Sequence, residues 1–190
     1  MGTVLFFVVL AALVFWMIGA YNTLIKLKNQ VVNAWKQIDV QLKRRHDLIP
    51  NLVNTVKGAM DFEKSALEAV INARARAMGA EGVRETAQAE GMLTQALGKL
   101  FALAEAYPDL KATGNIGQLQ EELTSTENKI AFARQLYNDT ATQYNTAQQQ
   151  FPTNLMAGVA GASVADLWEI EDAAERVVPT VDLSSGPPKA

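Results

Sequence analysis

The sequence has no cysteine, and histidine occurs once in its 190 residues. The absence of cysteine excludes disulfides, thiolate nucleophiles and Cys-ligated metals, although a cysteine-free chain suits either side of a membrane. A single histidine cannot build the usual metal site or nucleophile–base pair. Gly-rich phosphate loops, HExxH and GxSxG are also missing. We therefore predict no enzyme activity, no catalytic residue, no metal site and no cofactor.

Strand signals are scarce as well. No run of alternating β-branched residues bounded by turns occurs before Val177. The formal net charge of -3 is too mild to indicate a nucleic-acid partner. The charge is uneven, because residues 21–57 hold seven Lys or Arg against two Asp, while residues 160–190 hold six Asp or Glu against two basic residues. Either the basic and the acidic regions are both solvated, or the acidic C-terminal region contacts the basic helix of its own or a neighbouring subunit.

The N-terminus carries a long apolar run without charge, Val4–Ala20, which reads VLFFVVLAALVFWMIGA. As a helix with its flanks it covers roughly 27–29 Å, near the hydrocarbon thickness of a bilayer. Trp16 and Tyr21 suit the aromatic belt at the membrane surface. Because no basic residue precedes the run and its core is long, an anchor in contact with lipid is favoured over a signal peptide cut after Ala20.

Basic residues predict the orientation of this anchor. None precedes the run, whereas Lys26, Lys28 and Lys36 follow it closely. The positive-inside rule then leaves the N-terminus outside and the bulk of the chain in the cytoplasm.

After the apolar run, an amphipathic helix is predicted from Tyr21 to about Met60. Its apolar residues recur every three or four positions, at Leu24, Leu27, Val31, Trp35, Ile38, Leu42, Ile49, Leu52 and Val56. Trp35 and Ile38 are predicted core residues that pack near Ile130 or Tyr137.

Pro50 is predicted to interrupt this helix. Proline lacks an N–H and disfavours helical geometry at the preceding residue, so a kink is expected near His46–Pro50. The helix is then expected to restart and continue through Ser65–Met78.

Two further helices are predicted, over Val83–Tyr107 and Asn115–Phe151. Large residues recur at every seventh position of the last one, at Ile116, Leu123, Ile130, Tyr137, Tyr144 and Phe151. Smaller residues between them suit close antiparallel packing. Short connections imply antiparallel neighbours, so we predict an all-α fold in which an up-down-up bundle follows a single transmembrane helix. The first and last helices would then run parallel.

The region after the last helix is first apolar and then acidic. Thr140–Ala165 contains no charged residue, and Leu155–Ala165 is small and apolar. In the up-down-up layout this segment lies far from the bilayer. It is either a loop over the open end of the bundle or a subunit contact, in which case charged substitutions at Ala157 and Ala160 would break large complexes.

The chain thus divides into four parts. Ala165–Arg176 has the composition of one more short acidic helix, and the last residues have that of a frayed end. The predicted parts are a membrane anchor (residues 1–21), a helical bundle (22–152), an apolar then acidic segment (153–183) and a flexible tail (184–190).

Two charged residues occupy notable positions near the predicted kink. Arg45 falls on the apolar stripe, where a buried charge needs a partner. This partner could be Glu127, Glu122, Asp39 or Asp47, and the alternative is an anion or headgroup site. His46, next to Asp47, is interpreted as a hydrogen-bonded structural residue, with pH sensing as the alternative.

Several motifs together resemble those of the LemA family. They include the block IDVQLKRRHDLIPNLV at residues 38–53, YPDLKA at 107–112, LQEEL at 119–123, and the pairs Tyr137-Asn138, Tyr144-Asn145 and Phe151-Pro152. The resemblance implies a bacterial, single-span membrane protein with a cytoplasmic helical bundle and no established catalysis. After Phe151 the family tends to carry a Gly-Phe step, whereas this chain has Gly158-Val159, so the role of this end is the least transferable.

Two functions follow as hypotheses. The first is a non-enzymatic scaffold that self-associates, or docks a membrane protein partner, at the bacterial cytoplasmic membrane. The second is an accessory or signalling component of a membrane stress or membrane-remodelling system, which would sense through the kink at His46–Pro50.

Overall fold

The structure, a computed structural model, describes residues 1–57, 64–107 and 115–169. Within these ranges the chain is helical and contains no strand, which confirms the all-α prediction. The helices are α1 (Gly2–Lys57), α2 (Lys64–Gly79), α3 (Gly82–Ala104), α4 (Asn115–Gln149) and α5 (Asn154–Ala157).

The predicted N-terminal apolar helix is confirmed as the first part of α1. In the described part of the chain, α1 alone is long and apolar enough to cross a membrane, judged by length and composition. Large side chains of its first turns, such as those of Phe7 and Leu10, are exposed. The same helix continues into the bundle without a break, so no loop separates the apolar run from the amphipathic stripe.

Pro50 does not interrupt α1, contrary to the prediction. Proline cannot donate the hydrogen bond that the carbonyl of His46, four residues earlier, would normally accept. Arg74 of α2 supplies this bond instead, because its Nε atom donates to the His46 carbonyl at 2.8 Å. The helix therefore passes through the exposed Pro50 with its freed acceptor satisfied by a neighbouring helix.

The contacts between helices show that α1 and α4 are antiparallel. Trp35 meets Tyr137, with ring centroids 5.4 Å apart, whereas Arg45 meets Glu127, with Nη1 3.0 Å from Oε2. As α1 advances by ten residues, its partner on α4 moves back by ten. The first and last long helices therefore run in opposite directions, not in parallel as predicted.

The reason for this difference is an additional helix reversal. The stretch that was interpreted as a continuation of the first helix is α2, which turns back along α1 and brings Arg74 beside His46. After a two-residue turn, α3 runs along α1 again, from the level of Ile38 to that of Val56. The bundle is up-down-up-down, so the end of α4 returns to the apolar end of α1.

The buried face of α4 follows the heptads up to Tyr144. Ile116, Leu123, Ile130, Tyr137 and Tyr144 are all buried. Phe151, the next position in the repeat, is instead 80% exposed. The α4 helix ends at Gln149, and the chain changes direction before the seven-residue repeat reaches Phe151.

Residues 151–160, which we call the membrane-end turn, lie beside the apolar end of α1. Met156 and Ala160 are buried against Ala20 and Leu24. The up-down-up prediction placed this apolar segment at the end of the bundle far from the apolar run, and the structure places it beside that run instead. The additional reversal moves the segment to the opposite end of the bundle.

A Schellman motif ends the turn. Gly161 has a positive φ of 57°, the N–H of Ala162 donates to Ala157, and the N–H of Gly161 donates to Gly158. The chain then runs back along the bundle as residues 162–169, which we call the C-terminal segment and which contain no helix. The predicted acidic helix is thus absent from residues 165–169, and its remainder and the predicted tail lie outside the described residues.

Candidate functional site

A cluster of ionisable side chains lies inside the bundle where α1, α3 and α4 meet. This ion cluster consists of Arg45 and His46 on α1, Glu90 on α3 and Glu127 on α4. The side chains of Arg45 and Glu90 are only 4% and 3% exposed. Charges withdrawn this far from water are tolerated when they are paired and hydrogen-bonded.

Glu90 is the centre of the cluster because each of its oxygens binds a different residue. Oε2 accepts a hydrogen bond from Arg45 Nη1 at 3.1 Å, and Oε1 lies 2.6 Å from His46 Nε2. With Glu90 ionised the carboxylate only accepts, and Nε2 is then the donor in this pair. Thr94, one turn along α3, accepts from Arg45 Nη2 at 2.8 Å.

Glu127 completes the cluster from α4 and is one of the partners predicted for Arg45. Its Oε2 atom is 3.0 Å from Arg45 Nη1, but its direction of approach does not satisfy hydrogen-bond geometry. Its side chain is 35% exposed, so solvent screens this attraction more than that of Glu90. Glu127 therefore offsets the charge of Arg45, whereas Glu90 fixes the positions of the Arg45 and His46 side chains.

The sequence interpretation missed Glu90. It lies in the buried stripe of α3, among Thr86, Leu93 and Leu97, and an acidic residue at such a position was the available signal. Asp47, considered as a partner for Arg45 and His46, is exposed. Three members of the ion cluster are buried and Glu127 is partly exposed. The described residues contain no group of three or more His, Cys, Asp or Glu able to hold a metal.

A second set of polar contacts holds the C-terminal segment against α4. Asn145 donates through Nδ2 to the carbonyl of Ala165 at 2.8 Å and accepts from the N–H of Ala165 at 2.8 Å. Asn138 makes the same pair of bonds with Trp168, at 3.0 and 2.8 Å. Each amide thus satisfies both backbone groups of one residue, as a neighbouring strand would.

The spacing of these contacts explains why the segment is extended. Seven helical residues rise about 10 Å, and three extended residues cover about the same distance. Asn138 and Asn145 are seven apart on α4, whereas Ala165 and Trp168 are three apart on the segment. The repeated Tyr-Asn pair was the sequence signal for this arrangement, although the asparagines were not predicted to bind anything.

Trp168 anchors the segment in the core. It is 4% exposed, its ring lies 6.0 Å from Trp35, and the Arg134 guanidinium lies 5.7 Å from its centroid. The Tyr137 hydroxyl donates to the Asp166 carbonyl at 2.7 Å. Burial and, to a smaller extent, the Asp166 carboxylate raise the pKa of Tyr137 above its ordinary value of 10.0.

The remaining residues singled out from the sequence take no part in the hydrogen bonds described for the two sites. Ile38 is fully buried between α1 and α4, and Tyr144 is buried one turn beyond Ala141. Ala157 is half-buried, while Ala160 packs against α1 and is not available as a free surface.

These features define an all-α protein in which a long apolar N-terminal helix continues into a four-pass bundle with a buried ion cluster. The chain belongs to the LemA family, whose sequence model matches residues 34–183. The match includes α1 from Ala34, the ion cluster and the C-terminal segment.

Curated relatives agree with this membership. Protein LemA of Metamycoplasma hominis is 27% identical over 157 residues, which cover 81% of this chain and 71% of that protein. Magnetosome protein MamQ 2 of Paramagnetospirillum magneticum is 23% identical over 189 residues, covering 86% of this chain and 70% of that protein. Magnetosome protein MamQ of Magnetospirillum gryphiswaldense is 23% identical over 200 residues, covering 92% and 74%.

Proposed function

We propose that this protein is a non-enzymatic scaffold of the bacterial cytoplasmic membrane, where anchored copies associate through the outer face of α4. Val4–Ala20 crosses the bilayer with the N-terminus outside, and the bundle stands in the cytoplasm. The apolar helix supports the anchor, and the lysines that follow it, at positions 26, 28 and 36, support the orientation.

The observation that carries the association is an open strip of exposed residues along α4. It follows the helix on the side away from the core and consists of Gly117, Gln120, Glu121, Thr124, Ser125, Asn128, Lys129 and Phe132. Small side chains lie along its middle, and the 73% exposed ring of Phe132 lies at one end. Positions three and four apart form one continuous strip on a helix, which suits contact with a second helix.

The interior of the bundle supports a structural role over a catalytic one. Arg45, His46 and Glu90 bind each other rather than facing a cavity. A substrate would have to open the bundle to reach them.

Light scattering on the detergent-solubilised protein tests the proposal. Oligomers are expected for the unaltered chain and monomers for Phe132→Asp, because the charge would be buried in the contact. Ile71→Asp on α2, where Ile71 is also exposed, is the matched control and is expected to leave the mass unchanged.

Ser125→Cys adds a readout in membranes, because the chain has no other cysteine and an oxidised dimer reports the contact directly. A monomer at every concentration without crosslinking would overturn the association.

A second candidate function rests on the pairing of His46 with Glu90. A histidine buried against a carboxylate of another helix is a means by which pH could alter helix packing. This favours an accessory component of a membrane stress or remodelling system. NMR titration of His46 combined with partner capture tests it, and no change in either would remove this candidate.

A further inference from the structure

We propose that the membrane-end turn, residues 151–160, is a second membrane contact, in which Phe151, Leu155 and Val159 enter lipid beside the span. This inference rests on the proposed anchoring of Val4–Ala20 and adds a lipid-binding surface to it. Nothing in the sequence pattern alone indicates this surface, because the turn is distant from the span along the chain.

The first argument is the position of the turn along the axis of α1, beside the end of the apolar run. Met156 and Ala160 pack against Ala20 and Leu24, and the partly buried Trp16 contacts the same cluster. Trp16 and Ala20 belong to the apolar run that lies in the bilayer. A segment in contact with them must lie at the level where the span leaves the hydrocarbon.

The second argument is the division of the turn into two faces. Met156 and Ala160 face α1, whereas Phe151, Leu155 and Val159 are 80%, 63% and 70% exposed. Leu155 and Val159 are four residues apart in the helical turns, so they lie on one side, and the exposed Phe151 precedes them in the same short segment. Three large exposed apolar side chains so close in the chain are unfavourable in water and favourable in lipid, at roughly 25 cal/mol for each Å² transferred.

The third argument is charge. Residues 140–165 contain no charged side chain, so no ionised group would be drawn into the bilayer with the turn. The nearest basic residues, Lys26 and Lys28, follow the apolar run at the level expected for the membrane surface. Lys28 binds the end of the turn, because its Nζ donates to the Gly161 carbonyl at 3.2 Å.

Lipid is the occupant that these observations favour over a second copy of the chain. The exposed face continues the surface of the span at the same level, and lipid surrounds the span on every side that the protein leaves open. Contact with another copy would need a partner at this height, whereas lipid is present there already.

Spin labelling of the full chain in phosphatidylcholine–phosphatidylglycerol vesicles tests the proposal. The sequence has no native cysteine, so nitroxides are placed singly through Phe151→Cys, Leu155→Cys and Val159→Cys. Collisions with oxygen report lipid, and collisions with a water-soluble nickel complex report solvent. Leu10→Cys is the lipid reference and Ile71→Cys, at an exposed position of α2, the aqueous reference, and circular dichroism verifies the helical content of each variant.

At the three positions we expect fewer nickel collisions and more oxygen collisions than at Ile71, with both values between those at Ile71 and those at Leu10, because the turn lies near the edge of the hydrocarbon. Nickel collisions as frequent as at Ile71, with Leu10 protected, would overturn the lipid contact while leaving the anchor intact. A label protected from both agents would overturn it in favour of a subunit contact. A nickel-accessible Leu10 would overturn the proposed anchor, and this inference with it.

Discussion

The Nε2 atom of His46 lies 2.6 Å from Oε1 of Glu90, although the two residues are 44 positions apart in the chain. The same carboxylate also binds Arg45, so neighbouring residues of α1 share one acidic partner on α3. The arrangement fixes the rotation of α3 about its axis, because only one face of that helix can present Glu90 to both.

Removing Glu90 is predicted to destabilise the bundle strongly. Glu90→Ala leaves Arg45 and His46 buried with fewer partners, and breaking a buried pair in this way costs about 3–5 kcal/mol. Urea unfolding in detergent, followed by circular dichroism, measures the loss. Glu68→Ala on the exposed face of α2 is the control, expected within about 0.5 kcal/mol. A loss below about 1 kcal/mol for Glu90→Ala would mean that Glu127 alone satisfies Arg45.

The raised pKa of Tyr137 predicts a loss of stability in alkali. Burial and Asp166 favour the neutral hydroxyl in the folded state, so this contribution is complete below pH 10.0 and is lost as pH rises through the higher folded pKa. The free energy of unfolding should fall more steeply above pH 10.0 for the unaltered chain than for Tyr137→Phe. Parallel curves for the two proteins would show that Tyr137 is not the group responsible.

Asn138 is predicted to control the docking of the C-terminal segment. Asn138→Ala removes both bonds to the backbone of Trp168, and unsatisfied groups of this kind cost about 1–3 kcal/mol. Hydrogen exchange of the Trp168 amide should accelerate while that of the α1 core stays slow. The control, Asn72→Ala, alters an exposed asparagine of α2. Equal exchange in both variants would show that Trp168 packing alone holds the segment.

Trp35 is predicted to connect α1, α4 and the C-terminal segment. Trp35→Ala should lower the free energy of unfolding by about 3 kcal/mol, near the lower end for aromatic truncations, because the side chain is only half-buried. A double-mutant cycle with Trp168→Ala should give a coupling of about 0.5–1.5 kcal/mol, as for other aromatic pairs. Additive losses would contradict a direct interaction between the rings.

The anchor is predicted to fail when a charge enters its centre. Leu10→Arg should weaken insertion by about 2.5–3.5 kcal/mol on translocon-derived scales. Fractionation of cells expressing the variant measures the membrane-bound share, with Leu10→Ile as the conservative control. Equal membrane content for both variants would argue that Val4–Ala20 is not the span.

The sequence predicts the long helices because their burial is periodic. The heptads of α4 up to Tyr144 and most positions of the α1 stripe correspond to buried residues. Periodicity does not reveal where a chain reverses, so α2 was merged with α1 and the order of the bundle was misjudged. Glu90 was missed because an acid in an apolar stripe is recognised only once Arg45 faces it. The C-terminal segment has no period, since side-chain amides of another helix determine its conformation.

The unbroken course of α1 has a mechanical consequence. A helix of 56 residues is about 84 Å long. Because α4 packs along it, the bundle tilts together with α1 as one rigid body. In the proposed anchored state, tilting of the first turns, for example in a bilayer of different thickness, swings the far end of the bundle through an arc larger than the displacement in the membrane. In the proposed assembly, bilayer thickness would thereby set the angle at which neighbouring bundles meet.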